Sequence, residues 1–534
     1  MDTGRESYSE QETEPNITLS DEEIEFLRDE VGRIANKTIA EADWLFGHPE
    51  LGMQEERSGK FLAKRLSHIL GEKNVGEVGG GVYGILEGDQ EDGATIFIRG
   101  DMDALPTREG GAAHMCGHNI HMAWLIENAR LLSAYKDHYK ELPFKRVVFI
   151  GEPNEEGTDL EKVGPKEMMD AGLFDKTGKP DLILGAHFAA PQVEGSVRID
   201  KETATFSEGG LRYIITSEDG EQDVKSYQYE LIYRIGKAFK GEDAASEFGR
   251  FRIVDDCQEV VPETIVRVTD SKLVGEERHL LAGVLNQQEE VELNFQKDLE
   301  IGKVQAVAKD LEESWGSDVK IDVTEQDPRS LKIAVKSKGG HTAFGGPNVK
   351  YIMAELLHNL KQEQSFSIKD GNQPLEIVGT IRSRAKDWQG ESEEISHKLQ
   401  EIVEEITQQA GGKIKIEGSP HLELPPVAND DRLRDEALDI LEKAQIPITT
   451  VGMPMAVAET FAVWEGLGIP GLYLVIGGGD KEDLKKVKEE GLSVPERYLH
   501  HAPAVLDLIH ANRAIPYGAV LSLVALEIGK RYNN

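Results

Sequence analysis

Thiol, imidazole and carboxylate side chains stand in this sequence at spacings that suit metal chemistry. Cys116 and His118 are two residues apart, and Glu155 is followed directly by Glu156. A thiolate and an imidazole are ligands that zinc and other transition metals accept. Adjacent carboxylates repel each other, so the pair favours a bound cation or a shared proton. One carboxylate can then bind the metal while the other moves protons, which is the arrangement of metal-assisted hydrolysis.

The elements that would position these groups are strands that alternate with helices. Apolar runs predict strands at 82–86, 95–99, 146–150 and 182–186. Alternation with helices is typical of an α/β layer with a mainly parallel sheet. Ligands of such sheets gather at the carboxyl ends of the strands. Polar residues follow three of the predicted strands: Asp101, the pair Glu155 and Glu156, and His187.

The pattern of predicted strands and helices changes twice along the sequence, which predicts one domain interrupted by another. Strands become shorter and helices more charged after about residue 206, and the α/β texture returns after about 425. We therefore predict a disordered N-terminus, a first catalytic part, an inserted lid or dimerisation domain, and a second catalytic part. Their ranges are 1–18, 19–205, 206–424 and 425–534.

The inserted domain carries an internal resemblance. Residues 211–220 resemble 331–340, and a helical segment follows each of them. The strand and helix order predicts an α+β sandwich of ferredoxin type, and the resemblance predicts two copies, at about 206–328 and 329–424. Glu221 stands where the second copy has His341, so the two copies would not share a chemical role.

Composition excludes several classes of partner. The 534-residue chain has 60 basic and 97 acidic residues, a net charge of −37, which disfavours nucleic acid and anionic membranes. No apolar run approaches the ~20 residues that a membrane-spanning helix needs. The polar N-terminus shows no secretory signal. Two cysteines, Cys116 and Cys257, do not make a disulfide framework. A cytoplasmic location is expected.

A series of motifs resembles the metallopeptidase-20 family, in its hippurate hydrolase, aminoacylase and indole-acetyl-amino-acid hydrolase branch. No single motif is specific, but their order along the chain is. They lie at 48–52, 101–106, 114–118, 153–157, 164–173, 185–187, 338–341, 379–382, 458–461 and 500–503.

The resemblance implies a role for each site residue. Glu155 would be the general base, and His341 would polarise the substrate carbonyl and stabilise the oxyanion. Arg382 would hold a substrate carboxylate, and Asp101 would contact the metal-binding residues without binding the metal itself. Cys116 would bridge two divalent metal ions, zinc or manganese, with cobalt or nickel as alternatives. The other ligands would be His118, Glu156, His187 and His501, with His500 as the alternative to His501.

The expected activity is hydrolysis of an amide bond in a small N-acyl or aminoacyl amino acid with a free carboxylate, by metal-activated water. An aminohydrolase releasing ammonia and a dipeptidase are alternatives on the same scaffold. A catalytically inactive metal-binding protein and a cysteine protease using Cys116 are disfavoured, because Glu155 and every expected ligand are present.

Two departures from the branch concern the surroundings of the site. Glu152 stands where a glutamine is usual, and His187 and His341 lie 154 residues apart, which is long for the branch. The surplus coincides with the first copy of the repeat. A duplicated lid would build inside one chain the lid pairing of dimeric relatives, so a monomer is predicted, with a homodimer as the alternative.

Overall fold

Two compact units make up the fold of this chain, as a computed structural model gives it. The first contains residues 1–186, 430–448 and 511–534, and the second contains 187–429 and 449–510. The residues that the structure describes are 18–107, 111–114, 116–157, 162–193, 195–201, 203–205, 207–220, 222–239, 264–274, 276, 284–285, 287–317, 319–337, 340–341, 348–383, 388–449, 458–479, 482 and 518–532.

The elements before the inserted domain alternate between helices and strands. In chain order they are α1 (Asp21–Phe46), α2 (Glu56–Leu70), β1 (Val75–Val78), β2 (Gly81–Glu87), β3 (Thr95–Asp101), β4 (Leu105–Pro106), β5 (Ala112–Ala113), α3 (His118–Tyr139), β6 (Arg146–Glu152), α4 (Gly164–Asp170), α5 (Leu173–Thr177), β7 (Leu182–Val193) and β8 (Val197–Arg198).

The inserted domain and the C-terminal part follow. Their elements are β9 (Glu208–Ser217), α6 (Val224–Phe239), β10 (Thr264–Leu273), β11 (Val284–Leu285), β12 (Gln288–Phe295), α7 (Ile301–Trp315), β13 (Val319–Asp327), β14 (Ser330–Ser337), β15 (Gly340–His341), α8 (Val349–Glu363), β16 (Phe366–Ile368), β17 (Leu375–Ser383), α9 (Trp388–Gln409), β18 (Ile414–Leu424), α10 (Asp431–Lys443), β19 (Ile448–Thr449), α11 (Phe461–Glu465), β20 (Gly471–Gly479) and α12 (Val520–Tyr532).

The first unit is built on a mixed sheet with a parallel centre. Its strands lie in the order β1-β2-β6-β3-β7. β3 runs parallel to both β6 and β7, whereas β1 with β2 and β2 with β6 are antiparallel. Every residue of β3 is buried, as expected for a central parallel strand covered on both faces. The α/β class predicted from the strand and helix alternation is confirmed.

Local signals explain where the first helix begins. The side chain of Ser20 accepts a hydrogen bond from the backbone amide of Glu23, and the Glu23 carboxylate accepts one from the backbone amide of Ser20. This capping box satisfies two amides that the first turn would leave without partners. α1 then buries Ile24, Leu27 and Ile34.

The inserted domain of the second unit contains two α+β sandwiches. We call the first the outer sandwich: sheet order β10-β17-β9-β18, with α6 and α9 packed on it. The second, the inner sandwich, has sheet order β13-β14-β12-β16, with α7 and α8 packed on it. Numbered along the chain within each sandwich, both orders read 2-3-1-4, which is the ferredoxin-like arrangement predicted from the sequence. Buried residues of both sandwiches form one hydrophobic cluster.

The chain enters the inner sandwich between two strands of the outer one. When the two-residue strands β11 and β15 are left aside, element order is βαββαβ on each side of residue 328, the predicted limit between the copies. Strand pairing, however, joins the first half of one copy to the second half of the other, since β9 pairs with β17 and β18, and β12 pairs with β14. The predicted side-by-side copies therefore differ from what is observed. Duplication itself stays a prediction.

The observed units also differ from the predicted domain limits. The first segment of the first unit ends at 186 rather than 205, and the described residues 458–479 belong to the second unit. Helix α3 begins at His118, directly after Gly117. Within the part of the chain that the structure describes, no helix is both long and apolar enough to cross a membrane.

Candidate metal centre

The paired ends of two parallel strands carry the first charged groups of the site. Asp101 ends β3 and lies opposite Glu152, which ends β6. Arg99 lies between them and donates to Asp101 Oδ2 and to Glu152 Oε1, both at 2.8 Å. All three side chains are buried. Glu152, the departure noted in the sequence, thus serves as a second carboxylate partner for a buried guanidinium.

A tight turn brings Cys116 and His118 to the start of α3. Gly117 is the residue before the helix and has φ of +93°, a conformation that costs little only for glycine. The sulfur of Cys116 and a ring nitrogen of His118 lie within 4.8 Å of each other. Both side chains can therefore reach one ion.

The ring of His118 is oriented by Asp103. Nδ1 of His118 lies 3.0 Å from the carbonyl oxygen and 3.1 Å from Oδ1 of Asp103. Both partners are acceptors, so Nδ1 carries the proton and Nε2 presents its lone pair in the neutral ring. Asp103 Oδ2 also accepts from the backbone amide of Glu156 at 2.9 Å. One carboxylate therefore positions an imidazole and the adjoining acidic loop.

Glu155 and Glu156 face Nε2, the second nitrogen of this oriented and buried ring. Nε2 of His118 lies 3.8 Å from Glu155 Oε2 and 3.6 Å from Glu156 Oε1. The Glu155 side chain is 6% exposed and that of Glu156 is 17% exposed. The predicted pair of carboxylates and the predicted histidine are thus brought together, with Glu155 the more enclosed of the two acids.

The electrostatics of the centre call for positive charge. Burial works against a charged His118, but Asp101 and the hydrogen-bonded Asp103 raise its pKa well above the usual value. Burial likewise works against a charged Asp101, yet His118, His121 and Arg99 hold the pKa of that carboxyl well below its usual value. Nδ1 of His121 lies 2.5 Å from Asp101 Oδ1. A cation at Nε2 of His118 would take the place of the proton that these carboxylates favour.

The donor set fits a transition metal ion. A thiolate, an imidazole and two carboxylates converge, and the group of His118, Glu155 and Glu156 lies within 4.8 Å. Mixed sulfur, nitrogen and oxygen donors suit zinc, manganese, cobalt or nickel. The bond from His118 to Asp103 is the outer-shell contact that metal-binding histidines usually make.

The second unit holds two further predicted residues. His187 is 6% exposed. Its Nδ1 donates to the carbonyl oxygen of Phe188 at 2.5 Å, and its Nε2 lies 3.6 Å from Glu459 Oε1. Arg382 lies in β17 and is 5% exposed. Their roles as metal ligand and substrate-binding residue stay predictions.

Other predicted residues lie beyond what the structure describes. The backbone of His341 forms β15 with β11 as partner, but its side chain lies outside the described residues. His500, His501 and Cys257 also lie outside the described residues.

Sequence reasoning missed several residues that support the centre. Arg99 and Asp103 lie two residues before and two residues after the predicted Asp101, which ends β3, so a period-two pattern of charges was the signal. His118 and His121 are three apart on a helix, which places both on one face. No local pattern pointed to Glu55, because its partner Asn154 is distant in sequence.

Residues 97–510 match the model of Peptidase family M20/M25/M40. This match covers more than half of the chain, which therefore belongs to that family. The resemblance found from the motif series is confirmed.

Curated relatives match part of the chain. An N-acyl-L-amino acid amidohydrolase of Geobacillus stearothermophilus is 31% identical over 191 residues, 34% of this chain and 48% of that relative. An N-acetylcysteine deacetylase of Bacillus subtilis (strain 168) is 27% identical over 208 residues, 37% of this chain and 52% of the relative. The matched region thus spans about half the length of these relatives.

Solved structures share the fold over most of the chain. The Bacillus subtilis YXEP protein, a dinuclear metal binding peptidase from the M20 family, superimposes with a TM-score of 0.50 at 18% identity, covering 92% of this chain and 99% of that one. A candidate aminohydrolase from methicillin resistant Staphylococcus aureus gives a TM-score of 0.55 at 16% identity, covering 95% and 100%. At these identities the likeness concerns the fold alone.

Proposed function

We propose that this chain is a metal-dependent amidohydrolase that cleaves the amide bond of a small N-acyl or aminoacyl amino acid. The observation that carries the proposal is the convergence of His118, Glu155 and Glu156 within 4.8 Å, with Cys116 beside His118. Relatives named as an amidohydrolase and a deacetylase of N-acylated amino acids support the substrate class.

The chain would hold two divalent ions through Cys116, His118, Glu156, His187 and His501, with His500 as the alternative. When bound, the ions would supply Lewis-acid polarisation of the attacking water and of the amide carbonyl.

Glu155 would then act as the proton carrier. It would take a proton from the attacking water and return it to the leaving nitrogen. Its side chain is only 6% exposed, so bulk water competes little for that proton. His118 is held by Asp103 in the tautomer that leaves Nε2 free for coordination.

The second unit would supply the groups that recognise the substrate. His341 would donate to the carbonyl oxygen as negative charge develops there, a contact typically worth ~3 kcal/mol. Arg382, buried in β17, would bind the substrate carboxylate, for which a guanidinium offers two parallel donors.

A dipeptidase is the second candidate. Two sandwiches in the inserted domain are the observation that favours it, because the larger domain offers more surface for a second amino acid. Two relatives named thermostable carboxypeptidase match 37% of this chain.

The first experiment is product analysis by mass spectrometry. Zinc- or manganese-loaded protein would meet a panel of N-acyl amino acids, dipeptides and aromatic amines, beside Glu155→Gln. We expect a free amino acid from the unaltered chain and a loss of about 10³-fold or more in kcat for Glu155→Gln, since general acid–base catalysis contributes up to ~10⁴-fold. Glu25→Gln, at an exposed carboxylate of α1, is the matched control.

The other outcomes separate the alternatives. Ammonia without a free amino acid would identify an aminohydrolase. Cleavage of dipeptides alone would identify a dipeptidase. Absence of turnover on the whole panel, with two ions bound per chain, would contradict the proposed substrate class.

A further inference from the structure

A buried carboxylate lies directly behind the loop that carries the acidic pair. Glu55 precedes α2, and its side chain belongs to a residue only 5% exposed. Its Oε1 accepts a hydrogen bond from the backbone amide of Asn154 at 2.8 Å. The two residues are far apart in sequence, so this contact exists only in the folded chain.

Asn154 sets the direction in which Glu155 and Glu156 leave β6. Its φ is +52°, a left-handed conformation that a non-glycine residue adopts at some cost and that asparagine tolerates best. Asn154 is 1% exposed, and its side-chain amide donates to the carbonyl oxygen of Lys162 at 2.8 Å. Bonds on both sides of the residue therefore maintain this conformation.

The rest of the loop is closely enclosed. A Cβ added at Gly164 would lie 1.7 Å from the carbonyl oxygen of Pro153, so the helix α4 approaches the loop without space between them. Asp103 accepts from the amide of Glu156 at 2.9 Å. Glu55 and Asp103 thus hold the residues on either side of Glu155.

Capping of α2 does not account for Glu55. The side chain of Glu55 makes no capping hydrogen bond to that helix. Glu50 does so instead, accepting from the amides of Arg57 and Ser58 at 2.8 and 2.9 Å. Burial raises the pKa of Glu55 to about 7, so the charged carboxylate is costly here at neutral pH. An apolar side chain could not replace the contact with Asn154, nor the weaker ones with the backbone of Met53 and of Glu55 itself.

We propose that Glu55 is a positioning residue, which holds the general base Glu155 in place through the amide of Asn154. The proposal rests on the function proposed above, because it takes Glu155 as the base. It assigns to Glu55 no contact with substrate or metal.

The test compares Glu55→Met with Glu50→Ala in the full-length, metal-loaded chain. Methionine keeps the volume of the side chain and removes the acceptor. Glu50→Ala removes the cap of the same helix and leaves the loop alone. Glu55→Gln is the conservative variant, because its amide oxygen can still accept from Asn154.

Hydrogen exchange by mass spectrometry gives a readout that needs no substrate. We expect the amides of residues 154–157 to exchange roughly tenfold faster in Glu55→Met, as for the loss of one buried hydrogen bond. Glu50→Ala should leave these amides unchanged and speed exchange at the start of α2. Unchanged exchange of 154–157 in Glu55→Met would overturn the proposal.

Kinetics give the second readout. We expect kcat to fall about 10–100-fold in Glu55→Met, because a displacement of ~1 Å can cost that much, while KM stays within about threefold and Glu55→Gln recovers most of kcat. Faster exchange together with an unchanged kcat would also overturn the proposal.

If the unaltered chain hydrolyses nothing on the panel, the proposed function fails, and the exchange experiment still decides whether Glu55 holds the loop. Should Glu55→Met not fold, Glu55→Ala takes its place in both measurements.

Discussion

At the scale of single residues, the centre depends on carboxylates that do more than one task. Asp101 accepts from Arg99 and His121, and Asp103 accepts from His118 and from the amide of Glu156. Such shared acceptors orient several groups at once. The geometry of the centre is therefore sensitive to residues that need not touch the substrate.

Asp103→Ala should weaken metal binding by about 10–100-fold, as loss of outer-shell contacts usually does. It removes the side-chain acceptor that orients His118 and the one that holds the amide of Glu156. The measurement is competition with a chelator of known affinity. Asp137→Ala, at an exposed position of the same helix as His118, should bind metal as the unaltered chain does. Equal affinities for the two variants would contradict this role of Asp103.

Glu127 offers a pH-dependence test away from the centre. It is buried in α3, and burial raises the pKa of its carboxyl well above the usual value, while Arg130 lowers it. Because the pKa of Glu127 is higher in the folded chain, its contribution to the free energy of unfolding is complete below the unfolded-state pKa, about 4.5. That contribution is lost as pH rises toward the folded-state pKa. Glu127→Gln should thus gain thermal stability over the unaltered chain between pH 5 and pH 8, by at least ~2 °C. A constant difference in Tm across that range would contradict the assignment.

At the scale of elements, the inserted domain is held together by pairing between the halves of its two predicted copies. Tyr233 of α6 stacks on His358 of α8 at 3.9 Å between ring centroids. A buried polar cluster joins the same sandwiches: Lys350 donates to Glu289 at 2.9 Å and to Ser271 at 3.0 Å. Buried polar pairs of this kind favour one register over others.

Lys350→Met should lower the stability of the second unit by about 3–5 kcal/mol, because it leaves the Glu289 carboxylate buried with one partner fewer. The measurement is thermal unfolding with limited proteolysis to assign the unit. Lys369→Met breaks the exposed pair with Glu292 and should change stability by less than ~1 kcal/mol. Similar losses in both variants would show that the buried cluster has no special importance.

At the scale of the whole molecule, the continuous core of the two sandwiches bears on assembly. α6 and α8, the first helices of the predicted copies, pack against each other within one chain. The helix face that one predicted copy would otherwise offer to a second chain is thus covered by the other predicted copy of the same chain. The net charge of −37 adds repulsion between chains.

We therefore expect a monomer, with a mass near 59.1 kDa by light scattering. If the chain acts as a monomer, specific activity should stay constant on dilution from micromolar to nanomolar concentration. An obligate dimer formed through residues 210–420 would contradict this prediction.

The strand and helix alternation, the family and the residue types of the centre could all be predicted from the sequence. These features could be predicted because each depends on residues close together in sequence. Buried strands are visible as apolar runs, and Ser20 lies three residues before its capping partner. The motif with Cys116 and His118 and the motif with Glu155 are each a short contiguous segment. Residues joined across long separations could not be predicted, such as Glu55 with Asn154 and Arg99 with Glu152.

The sequence by itself determined which elements form and which donors are available, because both depend on neighbours within a few residues. Only the tertiary structure decided how those elements pair. The two predicted copies divide their halves between two sheets, since strand pairing depends on hydrogen bonds and burial across long separations rather than on local pattern. The same holds for the centre, where Asp103 and Glu55 became supports for His118 and the acidic loop only once β3, β6 and α2 were packed together.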